Sequence, residues 1–226
     1  MDSINNDPTQ QESLMRFSRQ QDIVPVLEQK KATIIGTGAI GRQIALMLTS
    51  MGIGELQLID PDIVNEPNVV TQGFLESEIG TPKVLALSNT LQGINNKIIL
   101  QTLQQRYGID DSIYEVCFVC VDTMRSREFI YENTLLQNKI KLLIDGRMSG
   151  EICRVLTAIQ ETKEEYKETL FTDEEAAPER CTAKATIYCA SLAATLMISQ
   201  YIKWLREIEL KKDIIGNLLL PKVVAN

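Results

Sequence analysis

The apolar positions of this chain change period several times, and each change marks an element. Ala32-Thr33-Ile34-Ile35 is a short β-branched run that stops at a glycine, and between Ala39 and Met51 the residues Ile40, Ile44, Met47 and Leu48 fall at helical spacing. Residues 55–60 alternate and end in acid and proline, which predicts a second strand with Asp60 and Asp62 at its C-terminal edge. The rhythm repeats with a helix over 82–94, a strand over 98–103, an apolar strand over 116–121, a helix over 124–136 and a strand over 140–145. Strands alternating with helices on short connections predict an α/β fold, a Rossmann-like and mostly parallel sheet with helices on both faces. Beyond Gly150 the order changes. A strand over 151–160, an acidic and weakly patterned stretch over 161–180 expected to loop over a crevice, a long apolar helix over 182–205 and a closing strand over 214–224 predict a mixed C-terminal portion.

Ligands of such sheets bind beyond the carboxyl ends of the strands. Gly36, Asp60, Asp122 and Asp145 all fall at predicted strand ends and are expected to converge on one crevice. The first connection reads Gly36-Thr37-Gly38-Ala39-Ile40-Gly41, a G-x-G-x-x-G between strand and helix, where glycines let a phosphate approach backbone N–H groups at a helix N-terminus. Asp60, at the end of the next strand, is within reach of a ribose hydroxyl. The pair predicts a bound nucleotide and leaves open whether it is NAD or ATP.

Composition narrows the chemistry. The 226 residues include no His, which excludes a Ser-His-Asp triad, a Cys-His pair and His-ligated zinc or haem. A formal charge of -7, from 23 Lys+Arg against 30 Asp+Glu, speaks against duplex nucleic acid and against an anionic membrane surface as partners. Residues 1–22 are polar and read as a mobile arm ending in Arg16-Phe17-Ser18-Arg19-Gln20, ahead of one α/β domain over 23–226. The start is not patterned as a signal sequence, the apolar stretch over 190–198 is too short to span a bilayer, and the five cysteines form no disulfide framework. A reducing, cytoplasmic location is expected. Cys117 and Cys120, three apart in a strand, are expected on opposite faces and unable to share one zinc.

The run Leu58-Ile59-Asp60-Pro61-Asp62-Ile63-Val64, with Asn68, Gln72, Gly80-Thr81-Pro82-Lys83-Val84 and the upstream Arg16-Phe17-Ser18-Arg19-Gln20, resembles the ThiF/MoeB superfamily. These are the ubiquitin-activating-type adenylating enzymes, and the likeness is to their compact bacterial form. The resemblance implies one adenylation domain with residues 161–181 over the crevice, using ATP and Mg2+. It implies nucleotide binding by Gly36, Gly38, Ala39, Gly41, Asp60, Asp62, Asn68 and Lys83, and a metal on Asp122. Lys83 and Asp122 would be catalytic, as would Arg19, reaching into the neighbouring subunit's site of a homodimer. The implied substrate is the C-terminal glycine carboxylate of a small ubiquitin-like β-grasp protein; no nucleic acid or membrane partner is implied. Such chemistry sets negative charge against negative charge, so the site must neutralise and align more than it must move protons.

Cys181, in Pro178-Glu179-Arg180-Cys181-Thr182-Ala183, resembles the thiol-bearing segment of the ThiF branch. A helix N-terminus and Arg180 would favour its thiolate, which could accept the acyl group as a thioester or join sulfur transfer. Arg127 matches a family position. Two departures stand out. Thr71 occupies the place of the arginine usual before the glutamine at 72, and the two C-x-x-C pairs of many relatives are absent, so no structural zinc is expected. The residues keep plainer readings as well: Arg19 as a solvated arm residue, Lys83 as a surface lysine, Asp122 as a solvated strand end, Arg127 as half of a helix-face pair and Cys181 as unreactive. Two other functions stay open, a non-catalytic partner-binding subunit of the same family and an NAD-dependent oxidoreductase.

Overall fold

In the computed structural model, which describes residues 16–171, 186–220 and 222–225, eight strands form one sheet. They are β1 (Lys31–Ile35), β2 (Glu55–Ile59), β3 (Ile99–Leu103), β4 (Val116–Val119), β5 (Leu142–Ser149), β6 (Ile152–Ala158), β7 (Asp213–Asn217) and β8 (Lys222–Ala225). Their spatial order is β3-β2-β1-β4-β5-β6-β7-β8. The first five in that order run parallel, and β6, β7 and β8 continue the sheet antiparallel. The helices are α1 (Ala39–Ser50), α2 (Glu66–Gln72), α3 (Lys83–Ile94), α4 (Met124–Asn133), α5 (Lys163–Lys167) and α6 (Ile187–Leu205).

Alternation along the central strands divides the core in two. Ala32, Ile34, Leu56, Leu58, Val116, Phe118, Leu142 and Ile144 face one way, onto the apolar stripes of α1, α3 and α6. Ile35, Ile59, Cys117, Val119 and Leu143 face the other, onto Ile130 and Tyr131 of α4 and Tyr166 of α5. Helices do cover both faces, unevenly. On the second face of β1 and β2 the inward positions are Thr33 and Gln57, bonded to each other at 2.8 Å, and Gln57 donates to the Ser112 carbonyl at 2.9 Å. The connection between β3 and β4 takes the place of a helix there.

Four expectations are corrected. The arm is anchored from Arg16 onward: the Phe17 ring lies on Gly52, Arg16 donates to the Ile94 carbonyl and Gln20 donates to the Met51 carbonyl at 2.8 Å. The stretch expected as a loop over 161–180 begins with a 3-10 turn and α5, because Tyr166 is an apolar anchor buried against Tyr131 at 5.5 Å between ring centroids. The single closing strand is a hairpin, β7 and β8. Finally, β5 runs on to Ser149, so Asp145 lies inside a strand. No described helix is long and apolar enough to cross a membrane.

Candidate active site

The glycine turn joins three elements. Ile35 lies opposite Ile59 on one side and Val119 on the other, so the chain leaves β1, β2 and β4 at one level. Gly36 follows with φ +91, and a Cβ there would stand 2.5 Å from the Cys120 carbonyl oxygen. A Cβ on Gly41 would stand 1.9 Å from the Gly36 carbonyl oxygen, so this glycine lets α1 press against β1. Gly38 differs: the nearest atoms a Cβ would meet are those of the Gln72 amide, at ordinary contact distances of 3.6 Å and 3.7 Å. Folding asks for glycine at 36 and 41, whereas at 38 a Cβ would fit against the Gln72 side chain without a clash. Ala39 is the first residue of α1, whose opening N–H groups have no partner within the helix and point out of this mouth.

Asp60, 5% exposed, ties that turn to β2. One carboxylate oxygen accepts the Thr37 N–H at 2.6 Å and the other accepts the Asp62 N–H at 2.9 Å, leaving lone pairs for a ribose hydroxyl. Lys83 stands beside it because the segment after β2 is stapled to the start of α3, by an Ile63–Pro82 bridge and by the Lys83 N–H donating to the Asp62 carbonyl at 2.9 Å. Its ammonium donates to the Asp62 carboxylate at 3.0 Å. The reading of Lys83 as a surface lysine falls, since its side chain is 8% exposed. Asn68 lies half-buried on α2 with its carbonyl turned back to the Asn65 N–H at 3.0 Å. Thr71 bonds back to the Pro67 carbonyl at 2.6 Å, so α2, reading EPNVVTQ, brings no cation to the mouth.

Asp122 follows β4 at the same edge, exposed, with no hydrogen bond or ion pair to any described residue. Asp145 does not join it. Fully buried, it accepts from Arg127 Nε at 2.9 Å, from Arg147 Nε at 2.7 Å and from the Tyr166 hydroxyl at 3.1 Å. Arg127 donates as well to the Gly146 carbonyl at 3.2 Å, and Arg147 to the Thr169 carbonyl at 2.8 Å. Burial works against the Arg127 charge, but Asp145 outweighs it and raises the guanidinium's pKa; burial, with Asp145 adding to it, pushes the Tyr166 hydroxyl up. Arg127 therefore pairs with a neighbouring strand rather than along its own helix face. The cluster clamps α4, β5 and the segment after α5 together.

Arg19 is exposed in the turn after Phe17, against the far end of α1 from the glycine turn. Twelve residues of helix separate the two by about 18 Å, so Arg19 does not reach its own chain's mouth. Cys181 lies outside the described residues. Cys117 is buried on one face of the sheet while Cys120 packs on the other, and burial pushes both thiols up. Burial likewise raises Cys153, and Cys189 to about 11. Among the described residues no three Cys, Asp or Glu side chains cluster as metal ligands. Arg42, one turn into α1, is buried beside this mouth; its only signal in the sequence is a cation directly after the third glycine of an otherwise apolar helix face.

The model of the ThiF family matches residues 11–223. The chain belongs to the ThiF family. Within it, this ThiF-family chain is 35% identical over 129 residues to the sulfur carrier protein ThiS adenylyltransferase of Escherichia coli strain K12, covering 51% of each. It is 31% identical over 112 residues to the adenylyltransferase and sulfurtransferase MOCS3 of Dictyostelium discoideum, 47% of this chain and 26% of that protein. The matched regions thus span about half or less of these relatives' length. A crystal structure of Escherichia coli MccB shares the fold with a TM-score of 0.72 at 18% identity, over 100% of this chain and 70% of that one.

Proposed function

We propose that this ThiF-family chain adenylates the C-terminal carboxylate of a small ubiquitin-like β-grasp protein ending in glycine, using ATP and releasing pyrophosphate. The observation that carries the reading is the gathering, at one strand edge, of an open helix mouth, a ribose-competent Asp60, a buried Lys83 and the free Asp122 carboxylate. The curated relatives bear the names of adenylyltransferases, which favours ATP over NAD at the same glycine turn. ATP and unpaired thiols fit the cytoplasm.

In the reaction a carboxylate oxygen of the partner attacks the α-phosphorus, the bond from that phosphorus to the β-phosphate's bridging oxygen breaks, and pyrophosphate leaves. No proton has to move, so a chain without histidine is not handicapped. The N–H groups at Gly38, Ala39 and Ile40 cradle phosphate oxygens; Asp60 orients the ribose; Asn68 offers its amide N–H; Lys83 neutralises phosphate charge. Asp122 fits Mg2+, a hard cation that takes one or two carboxylates and completes its shell with substrate phosphates and water. Mg2+ would supply further neutralisation there. Arg19 serves the site of a second copy, since its own lies at the other end of α1. Cys181 would then attack the acyl carbonyl as thiolate, AMP leaving, to hold the acyl group as a thioester.

The test is ATP–pyrophosphate exchange in the presence of a candidate β-grasp protein. Lys83→Ala and Asp122→Ala are each expected to lower exchange about a hundredfold, the size of losing one electrostatic contact to the transition state. Exchange unchanged in both variants removes these residue roles, and tighter binding of NAD(H) than of ATP removes adenylation.

A further inference from the structure

Arg42 carries a buried charge that forms no ion pair among the described residues. The residue is 6% exposed, its Nε has no hydrogen-bond partner, and its guanidinium forms no ion pair with any described residue. Its companions are the Phe74 ring, 5.1 Å from the guanidinium carbon, and the backbone of Gly73, whose built Cβ would stand 3.6 Å from Nη1. Burial lowers the pKa of this group, with Glu78 pulling weakly the other way. A buried cation with an aromatic face and the field of Glu78 beside it, but no ion pair among the described residues, opposes folding unless something repays its desolvation.

Its position says what does so. Arg42 is the fourth residue of α1, and helical side chains lean toward the N-terminus, over the turn before their own. Gln72 lies over Gly38 and the next residue, Gly73, lies over the guanidinium, so the helix mouth and the cation share one wall. The charges around that mouth need such a cation. Asp60, Asp62 and Asp122 bring three negative charges, Lys83 is already engaged by Asp62 at 3.0 Å, and α2 brings none. Arg42 would add a positive charge from this chain to those of Lys83, Mg2+ on Asp122 and Arg19 of a second copy, against the negative charges of a triphosphate.

We infer that Arg42 is a phosphate-binding cation of this site, held under the Gln72–Gly73 segment to receive the negative charge of a nucleoside triphosphate at the mouth of α1. The inference rests on the proposed nucleotide reading and adds to it a residue that no glycine motif specifies. It also explains why a desolvated guanidinium is kept where an apolar side chain would pack against Phe74.

The experiment compares Arg42→Met and Arg42→Lys with the full wild-type chain, titrating ATP, the bare anion tripolyphosphate and adenosine, and recording thermal unfolding without ligand. Arg42→Met is expected to weaken ATP and tripolyphosphate about tenfold or more, the scale of one charge-assisted contact, to leave adenosine unchanged, and to unfold at the same or a higher temperature. Arg42→Lys, which keeps the charge, is expected to recover part of the anion affinity. Unchanged ATP and tripolyphosphate affinity in Arg42→Met overturns the inference, as does an equal loss for adenosine. Should Arg42→Met fail to fold, Arg42→Lys decides alone: anion affinity lost selectively over adenosine supports the assignment, and an equal loss of both overturns it. If the wild-type chain binds none of the three, the nucleotide reading itself fails; if it binds them and Arg42→Met binds them equally, only this inference does.

Discussion

Alanine at each of the three glycines of the turn separates what the fold needs from what the ligand needs. Gly41→Ala places a Cβ 1.9 Å from a backbone oxygen, and Gly36→Ala places one 2.5 Å from another at φ +91. Both are expected to destabilise the chain by roughly 2 kcal/mol or more in denaturant unfolding, Gly41→Ala the more severely, from left-handed strain in one case and backbone displacement in both. Gly38→Ala is expected to fold within about 1 kcal/mol of wild type and to weaken ATP binding about tenfold or more, because its methyl group would occupy ligand space rather than protein. Normal ATP affinity in Gly38→Ala would show that phosphate does not use this mouth. Residues whose role is written in backbone geometry were therefore legible in the sequence: the glycines, and Asp60 at a strand end. Lys83 was legible as a candidate, but its burial was not, since it depends on the Ile63–Pro82 bridge. Arg42 was illegible for a simpler reason: nothing in a string of residues says which helical arginine is buried without an ion pair among the described residues.

Among elements, the parallel core was readable because strands buried on both faces and helices with apolar stripes repeat a strong period. α2 has no periodic signal in the sequence because none of its seven residues is buried and Val70 faces out at 74% exposure, so it has no stripe. The sequence predicts a shorter β5 because Asp145-Gly146-Arg147 looks like a strand end; in the fold the strand continues through them with Arg147 Nε bonded to the Asp145 carboxylate. Breaking that cluster from the carboxylate side, with Asp145→Asn, leaves two buried guanidinium groups short of charge and is expected to cost about 3–5 kcal/mol of stability. Arg147→Met is expected to act locally, speeding amide hydrogen exchange over 163–170 while β4 stays protected, since Arg147 is what holds the Thr169 carbonyl. Equal protection in the variant and in wild type would remove Arg147 as the clamp. The thiols give an alkaline signature. Cys189 has its folded pKa raised to about 11, so the stability it lends is whole below the ordinary thiol range near 9 and is lost as pH rises through 11; Cys189→Ala should flatten the fall in unfolding temperature between those two values. At pH 8 the same burial should protect Cys117, Cys153 and Cys189 from alkylation, read by mass spectrometry of the labelled peptides.

At the scale of the whole molecule, the placement of the arm decides what Arg19 can do. Anchored by Phe17 on Gly52, it serves a second copy or nothing. Arg19→Ala and Lys83→Ala are each expected to be defective in exchange. When mixed they should regain about a quarter of wild-type activity, because each mixed dimer of a random population holds one site with both groups intact. No recovery on mixing, in a preparation shown to exchange subunits, would place Arg19 outside the site. Adenylation of this kind takes place on the partner's free C-terminal carboxylate. Its most direct measurement is ATP–pyrophosphate exchange with a β-grasp partner ending in glycine, set against the same partner with that carboxylate converted to an amide. Exchange with the free acid and none with the amide is the result this account requires; exchange that is equal for the two forms, or absent with the free acid although ATP is bound, would contradict it.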